Sequence, residues 1–319
     1  MTVTVSIVIV CMNNLKNLYP CLDSIKQFTK CSYEVLVTAY LFSEDNLKKA
    51  KADYPWVTFI ESNEIRGFAE NNNLALLKAK GKYCFVVNDD TEMKMPVVDR
   101  LVDTIEKLHK NVAIVSPRVS SPDGIVLDCG VNPKRWTDCI KENFYLWKRS
   151  HPSRYINQPG IFKSYNIIGA AFLIKKDIFE KVGWFDERFF FCPEDIVLST
   201  LLNQLGYECW VNADVELIHY EGMSSKSFSM IQTATKPAAV KGSLIYFGDT
   251  RLKKLCLQLS SIPLYLARLI VFGVKAQLKE KPSEAYIKAL CAQHNLSALF
   301  STKSPKELFL QYYNEIKRY

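Results

Sequence analysis

The ten cysteines of this chain include no Cys-x-x-Cys pair and no Cys/His spacing of a zinc module, so a structural zinc fold is not expected. Several of them sit inside apolar runs, as buried thiols do, and a reducing cytoplasm is the simplest setting. Low-complexity tracts and internal repeats are also absent, and nothing in the composition suggests disorder. The N-terminal run "VSIVIVC" lacks a basic leader and a small-residue cleavage site. It reads as a first strand rather than a signal peptide, and export is not expected.

What is present is 319 residues, enough for one large α/β domain with an appendage or for two modest domains. The net charge of +8 is unevenly spread. Residues 236–319 hold 14 Lys/Arg against 5 Asp/Glu, whereas the first 235 hold 27 against 28. The basic character belongs to the tail, which suggests either an anionic partner surface or an ordinary solvated helix face.

Over the first hundred residues short apolar strands alternate with helical periods: "VSIVIV", "LYPCLDSIKQF", "YEVLVTAY", "DNLKKAKADY", "VTFIES", "GFAENNNLALLKAK" and "YCFVVN". This alternation predicts an α/β fold with right-handed βαβ units and a mostly parallel sheet flanked by helices. Ligands of such sheets bind at the carboxyl ends of the strands. A further strand, "VAIVSP", precedes a loop-rich stretch over residues 117–165, after which come "IIGAAFLIKKDIFEKVGWFDERFF", "EDIVLSTLLNQLGY" and "ECWVNADVELIHY". Composition then turns basic and helical, so the reading divides the chain into a domain over 1–235 and a helical extension over 236–319.

Three features carry chemistry. "VVNDDTEM" closes a strand with adjacent carboxylates, Asp89 and Asp90, whose repulsion must be relieved by water, a base or a metal. Either they are solvated caps, or Asp90, helped by Asp89, holds a divalent cation whose remaining positions take a diphosphate. Glu194 and Asp195 open a helix after three aromatics: either as acids favoured at a helix N-terminus, or with a general base among them that takes a proton from a hydroxyl. His219, in "LIHYEGMSSK", is a structural histidine or an extra metal ligand.

The order of these motifs resembles the family 2 glycosyltransferases of GT-A fold, especially the rhamnosyltransferase-like members that build bacterial surface polysaccharides. The resemblance covers roughly residues 3–230 and rests on "VSIVIVCMNN", "RGFAENNNLAL", "NDDTE", the long block from "IIGAAF" to "NQLGY", and "HYEGMSS". It implies that Asp90 and His219 bind Mn²⁺ or Mg²⁺ and that Asp195 deprotonates the acceptor hydroxyl. Cys11, Asn13, Arg66, Asn73, Asn88 and Asp89 fall on the donor side, and Glu194, Gly169 and Ala170 on the acceptor side. A single displacement would invert the anomeric carbon and need no covalent intermediate, which suits a chain without a recognisable activated nucleophile. The implied partners are a nucleotide-sugar donor, dTDP- or UDP-linked, and a glycan or lipid-linked glycan acceptor. No nucleic acid is expected, and the implied setting is the inner face of the cell membrane.

Two segments depart from the family pattern. Ala39 and Tyr40 stand where the second strand usually ends in a base-reading aspartate, and Cys11 and Met12 replace the usual threonine and tyrosine of the opening turn. These departures motivate a rival expectation, a nucleotide-sugar-binding or scaffold protein that has lost catalysis. In the tail, residues 251–275 place Leu255, Leu259, Ile262, Leu266, Leu269 and Ile270 near one helical face. Arg268 and the polar "QLSS" argue against a spanning helix; an in-plane membrane anchor, packing on the chain's own catalytic domain or a second subunit remain the alternatives.

Overall fold

A computed structural model describes residues 3–144, 155–167, 169–220, 230–277 and 284–317. The "GMSS" end of the late histidine motif therefore lies outside the described residues, as does part of the loop-rich stretch.

The elements begin β1 (Val5–Met12), α1 (Leu15–Phe28), β2 (Tyr33–Tyr40), α2 (Glu44–Asp53), β3 (Val57–Ser62), α3 (Phe68–Leu76) and β4 (Tyr83–Asn88). They continue with β5 (Thr91–Met93), α4 (Val97–Lys107), β6 (Val112–Ser120), β7 (Val126–Asp128), α5 (Trp136–Asn143), β8 (Ile161–Ser164) and β9 (Ala171–Lys175). The last are α6 (Lys176–Lys181), α7 (Glu194–Gln204), β10 (Glu208–His219), α8 (Met230–Phe247), α9 (Arg251–Gln277), α10 (Glu284–Phe300) and α11 (Pro305–Ile316).

The chain forms two compact units, one of Met1–Pro133, Pro152–Asp186 and Asp195–Met223, the other of Lys134–His151, Glu187–Glu194 and Ser224–Tyr319. The boundary expected near residue 235 falls inside α8, and the second unit also takes in two earlier segments.

The first unit is built on one sheet of order β3-β2-β1-β4-β9-β6-β10-β5. Its first four strands are parallel, as the alternating strands and helices predict. Beyond β4 the sheet is mixed: β9 runs antiparallel to both β4 and β6, while β8 pairs with β10. Alternation along the strands sorts side chains into two cores. Val5, Ile7, Ile9 and Cys11 of β1 join Tyr83, Phe85 and Val87 of β4 on one face, while Val8 joins Cys84 and Val86 on the other. Both faces are covered, so these strands read as apolar runs rather than as alternating ones.

The buried polar exception on β1 is Ser6, whose hydroxyl donates to Glu34 Oε1 at 2.6 Å and accepts from the Gly81 amide at 2.8 Å. A Cβ on Gly81 would stand 2.4 Å from the Ser6 nitrogen, so only glycine lets the chain pass here into β4. In the second unit α9 packs on α10 and α5, and α8 packs on α10 and α11. Asn143 at the end of α5 donates to Ser260 and Ser261 of α9 at 3.1 and 2.8 Å.

Candidate active site

Asn88, Asp89, Asp90 and His219 of the expected site gather at the carboxyl end of β4. That strand stops at Asn88, and the chain turns through Asp89 and Asp90 into β5, with Thr91 Oγ1 donating to the Asn88 carbonyl at 2.8 Å. β5 pairs antiparallel with the end of β10 so that Thr91 faces His219. The Tyr220 amide then donates to the Asp90 carbonyl at 2.9 Å. This register brings two residues far apart in sequence together: His219 Nε2 lies 3.0 Å from Asp90 Oδ1. Both side chains are mostly buried, at 12% and 16% exposure.

The pair fits a divalent cation. The contact is a hydrogen bond when Nε2 carries the proton, and two adjacent ligands when the proton sits on Nδ1. Octahedral ligands at about 2.1 Å from a cation stand roughly 3 Å from one another, close to the observed separation. Among the described residues no group of three His, Cys, Asp or Glu forms a complete cage. Such a site relies on few protein ligands and leaves positions for phosphate oxygens and water.

Asp89 has a different task. Burial is the main cause that pushes its carboxyl up to about 7; the Cys11 thiol opposes that rise and the Asp90 charge adds to it. Partial protonation near neutrality relieves the repulsion between the adjacent acids. Cys11 is fully buried, so it supports Asp89 from below and does not touch a donor, which corrects its expected donor-side role.

The acceptor-side residues join this turn through the backbone. The Asn88 amide donates to the Ala170 carbonyl at 3.0 Å, and the Gly169 amide lies 3.4 Å from Asp195 Oδ2. Asp195 Oδ1 accepts from the Ile196 amide at 2.7 Å, and Ser199 Oγ donates to the Asp195 carbonyl at 2.8 Å. The half-buried Asp195 carboxylate is thus aimed by the first turn of α7 and by Gly169. A Cβ at Gly169 would find its nearest neighbours at 3.8 Å or more, so protein packing alone does not require glycine there. Glu194 is buried and belongs by its packing to the second unit.

The donor-side expectations divide. Asn13 is exposed and adopts a left-handed φ of 49°, a conformation that asparagine tolerates. Its Oδ1 accepts from the Ser43 amide at 3.1 Å and from Asn46 Nδ2 at 2.9 Å, tying the opening turn to α2. Glu44 and Asp45, the acidic residues that follow β2 in sequence, are exposed in the first turn of α2 behind the Ser43 cap.

Arg66 is held by Ser62 Oγ at 3.2 Å and the exposed Glu64 at 2.9 Å, and its amide lies 3.4 Å from the Tyr40 hydroxyl. The Glu64 partner is weakly bound and exchangeable, so the guanidinium remains available to an anionic ligand. Asn73 requires a correction. Its amide donates to the Phe185 carbonyl at 2.9 Å and accepts from the Phe185 amide at 3.2 Å, so it clamps main chain and is spent as a donor contact.

Sequence reasoning missed Asn71, which accepts from Ser62 Oγ at 2.7 Å through its side chain and from Thr38 Oγ1 at 2.9 Å through its carbonyl. It joins the ends of β2 and β3 to the start of α3 and fixes Ser62 under Arg66. The available signal was a threonine and a serine near the ends of otherwise apolar strands.

Residues 6–183 match the profile described as "Glycosyl transferase family 2". The chain belongs to glycosyl transferase family 2. It is 27% identical over 158 residues to the O-antigen biosynthesis protein RfbC of Myxococcus xanthus, covering 49% of this chain and 12% of that protein. It is 23% identical over 152 residues to an N-acetylglucosaminyl-diphospho-decaprenol L-rhamnosyltransferase of Mycobacterium tuberculosis, covering 45% and 48% of the two chains. The chain thus spans about half or less of the length of these curated relatives.

Among solved structures, GalNAc-T7 with UDP, GalNAc and Mn²⁺ superposes with a TM-score of 0.55 at 16% identity, over 68% of this chain and 43% of the other. The mannosyltransferase PcManGT of Pyrobaculum calidifontis, in complex with GDP-Man and Mn²⁺, gives 0.53 at 15% identity over 92% and 85%. The family 2 chain therefore has the GT-A-type mixed α/β fold followed by helices.

Proposed function

We propose that this family 2 chain is an inverting, cation-dependent glycosyltransferase that builds a surface polysaccharide. By analogy with its relatives, it moves rhamnose from a dTDP- or UDP-linked donor to a glycan or lipid-linked glycan. The observation that carries this reading is the meeting of Asp90 and His219 beside Asn88, whose amide bonds the Ala170 carbonyl next to the Gly169 that bonds Asp195.

Asp90 Oδ1 and His219 Nε2 would hold the Mn²⁺ or Mg²⁺. A cation bound there supplies the positive charge that the departing diphosphate needs. Asp89, set back on Cys11, limits the negative charge facing the donor. Arg66 contacts the donor's phosphate or base once Glu64 yields it. Asp195 accepts the acceptor hydroxyl's proton as that oxygen attacks the anomeric carbon and the bond to the diphosphate oxygen breaks. Attack opposite the leaving group inverts the centre. Gly169 leaves open the space that a larger side chain would take from the sugar.

The test is a thermal-shift panel of nucleotide sugars with and without Mn²⁺, followed by turnover and product-anomer analysis by NMR. A cognate donor at a hundred times its Kd is expected to stabilise the fold by about 2.7 kcal/mol, only with the metal present. The Asp90→Asn variant is expected to lose that metal dependence. A cognate shift in the wild type with neither hydrolysis nor transfer would leave a nucleotide-sugar-binding scaffold instead.

A further inference from the structure

The second unit carries a feature that sugar transfer does not use. Fifteen large hydrophobic side chains are exposed among the described residues, and seven of them, Leu252, Leu255, Leu259, Leu266, Ile270, Val271 and Val274, lie on α9. Six are spaced three, four, seven, four and four residues apart, from Leu252 to Val274. At 100° per residue this is one narrow stripe, roughly 33 Å long. Ile262 and Leu269, expected on this face, are half-buried instead. The opposite side of α9 is attached to protein: Leu257, Leu264 and Tyr265 are buried, Ser260 and Ser261 bind Asn143, and Gln258 Nε2 donates to the Leu299 carbonyl at 2.6 Å.

By length and hydropathy α9 qualifies as a membrane-crossing helix. Its polar, protein-bound side argues against that, because a spanning helix must satisfy lipid along its free perimeter through the full bilayer depth. Charge selects among the remaining occupants. α9 carries Arg251, Lys253, Lys254, Arg268 and Lys275 and has no acidic residue. Lys253 pairs with Asp249 at 2.9 Å, whereas Arg251, Lys254 and Lys275 are exposed at the two ends of the helix. A second copy docked antiparallel would set basic start against basic end. A groove of about 850 Å³ borders the stripe at Pro263, Ala267 and Val271 and carries Lys236, Arg268 and Lys288.

We infer that the outer face of α9 lies in the plane of an anionic phospholipid bilayer, with the stripe among the acyl chains and the cations at the headgroups. This surface rests on the second unit alone and stands whether or not the sugar chemistry is as proposed.

The test is flotation of the full chain with vesicles of phosphatidylcholine alone or mixed with phosphatidylglycerol. The chain is expected to float with the mixed vesicles, to stay behind with the neutral ones, and to be released by alkaline carbonate. Ile270→Glu, at a site 65% exposed, is expected to cut vesicle binding by at least about tenfold with the melting temperature unchanged. The inference is overturned if wild type ignores anionic vesicles, if Ile270→Glu still binds, if carbonate fails to release the chain, or if the variant instead dissociates a dimer.

Discussion

Two asparagines four and six residues after Gly67 look alike in sequence, yet they do different work. Asn71 ties strand ends beneath Arg66, and Asn73 brackets the main chain of Phe185. Nothing in local spacing separates them, because each role depends on what a distant segment presents. Asn73→Ala would leave a buried amide and carbonyl without their partner, and should destabilise the protein by about 1–3 kcal/mol in urea titrations. The donor KM of the folded variant should be unchanged; a rise in KM at full stability would restore Asn73 to the donor side.

His219 is the opposite case: its type and that of Asp90 suggest a shared site, and the two side chains meet in the fold. His219→Ala is expected to raise the Mn²⁺ concentration needed for half-maximal donor stabilisation by at least about tenfold. An unchanged metal requirement would reduce the Asp90 contact to a structural hydrogen bond.

At the scale of elements, the strands and helices from β1 to β4 were readable because both sheet faces are covered and each crossover is a helix of ordinary length. What could not be read was β9 entering antiparallel, or β10 running as one twelve-residue strand with a register shift between Asn212 and Glu216. Pairing partners and bulges depend on the tertiary arrangement, to which a period of two is blind.

The start of β10 offers a separate check. Glu208 binds Lys163 of β8 at 2.8 Å and Trp210 Nε1 at 2.8 Å, and the Lys163 bond leads the causes that hold its carboxyl below the usual range. A lowered folded-state value means that Glu208 adds stability above the unfolded carboxyl range, and that this contribution disappears as pH falls through the folded value. Glu208→Gln should therefore be less stable than wild type at pH 7, by up to about 1 kcal/mol. The two should converge in acid; a gap that persists or widens there would contradict the assignment.

For the molecule as a whole, the charge division between the first 235 residues and the tail carries no information on which segments share a packed unit. α5 and residues 187–194 join the second unit although they precede the tail in sequence, because they pack on tail helices and partners leave no mark on composition. The same limit explains α9. Its amphipathic period was visible, whereas which side faced solvent depended on α5 and α10. Vesicle binding through α9 should weaken as salt rises, since its basic ends act through screened charge.

The central claim is that one sheet end holds the donor diphosphate at Asp90 and His219 while Asp195 takes the acceptor's proton. The most direct measurement is sugar transfer by Asp195→Asn beside wild type, with Mn²⁺ and the cognate donor supplied and donor binding followed in parallel. Transfer should fall by about 10²–10⁴-fold while the Mn²⁺-dependent donor shift stays at the wild-type value. Transfer at the parental rate would contradict the account.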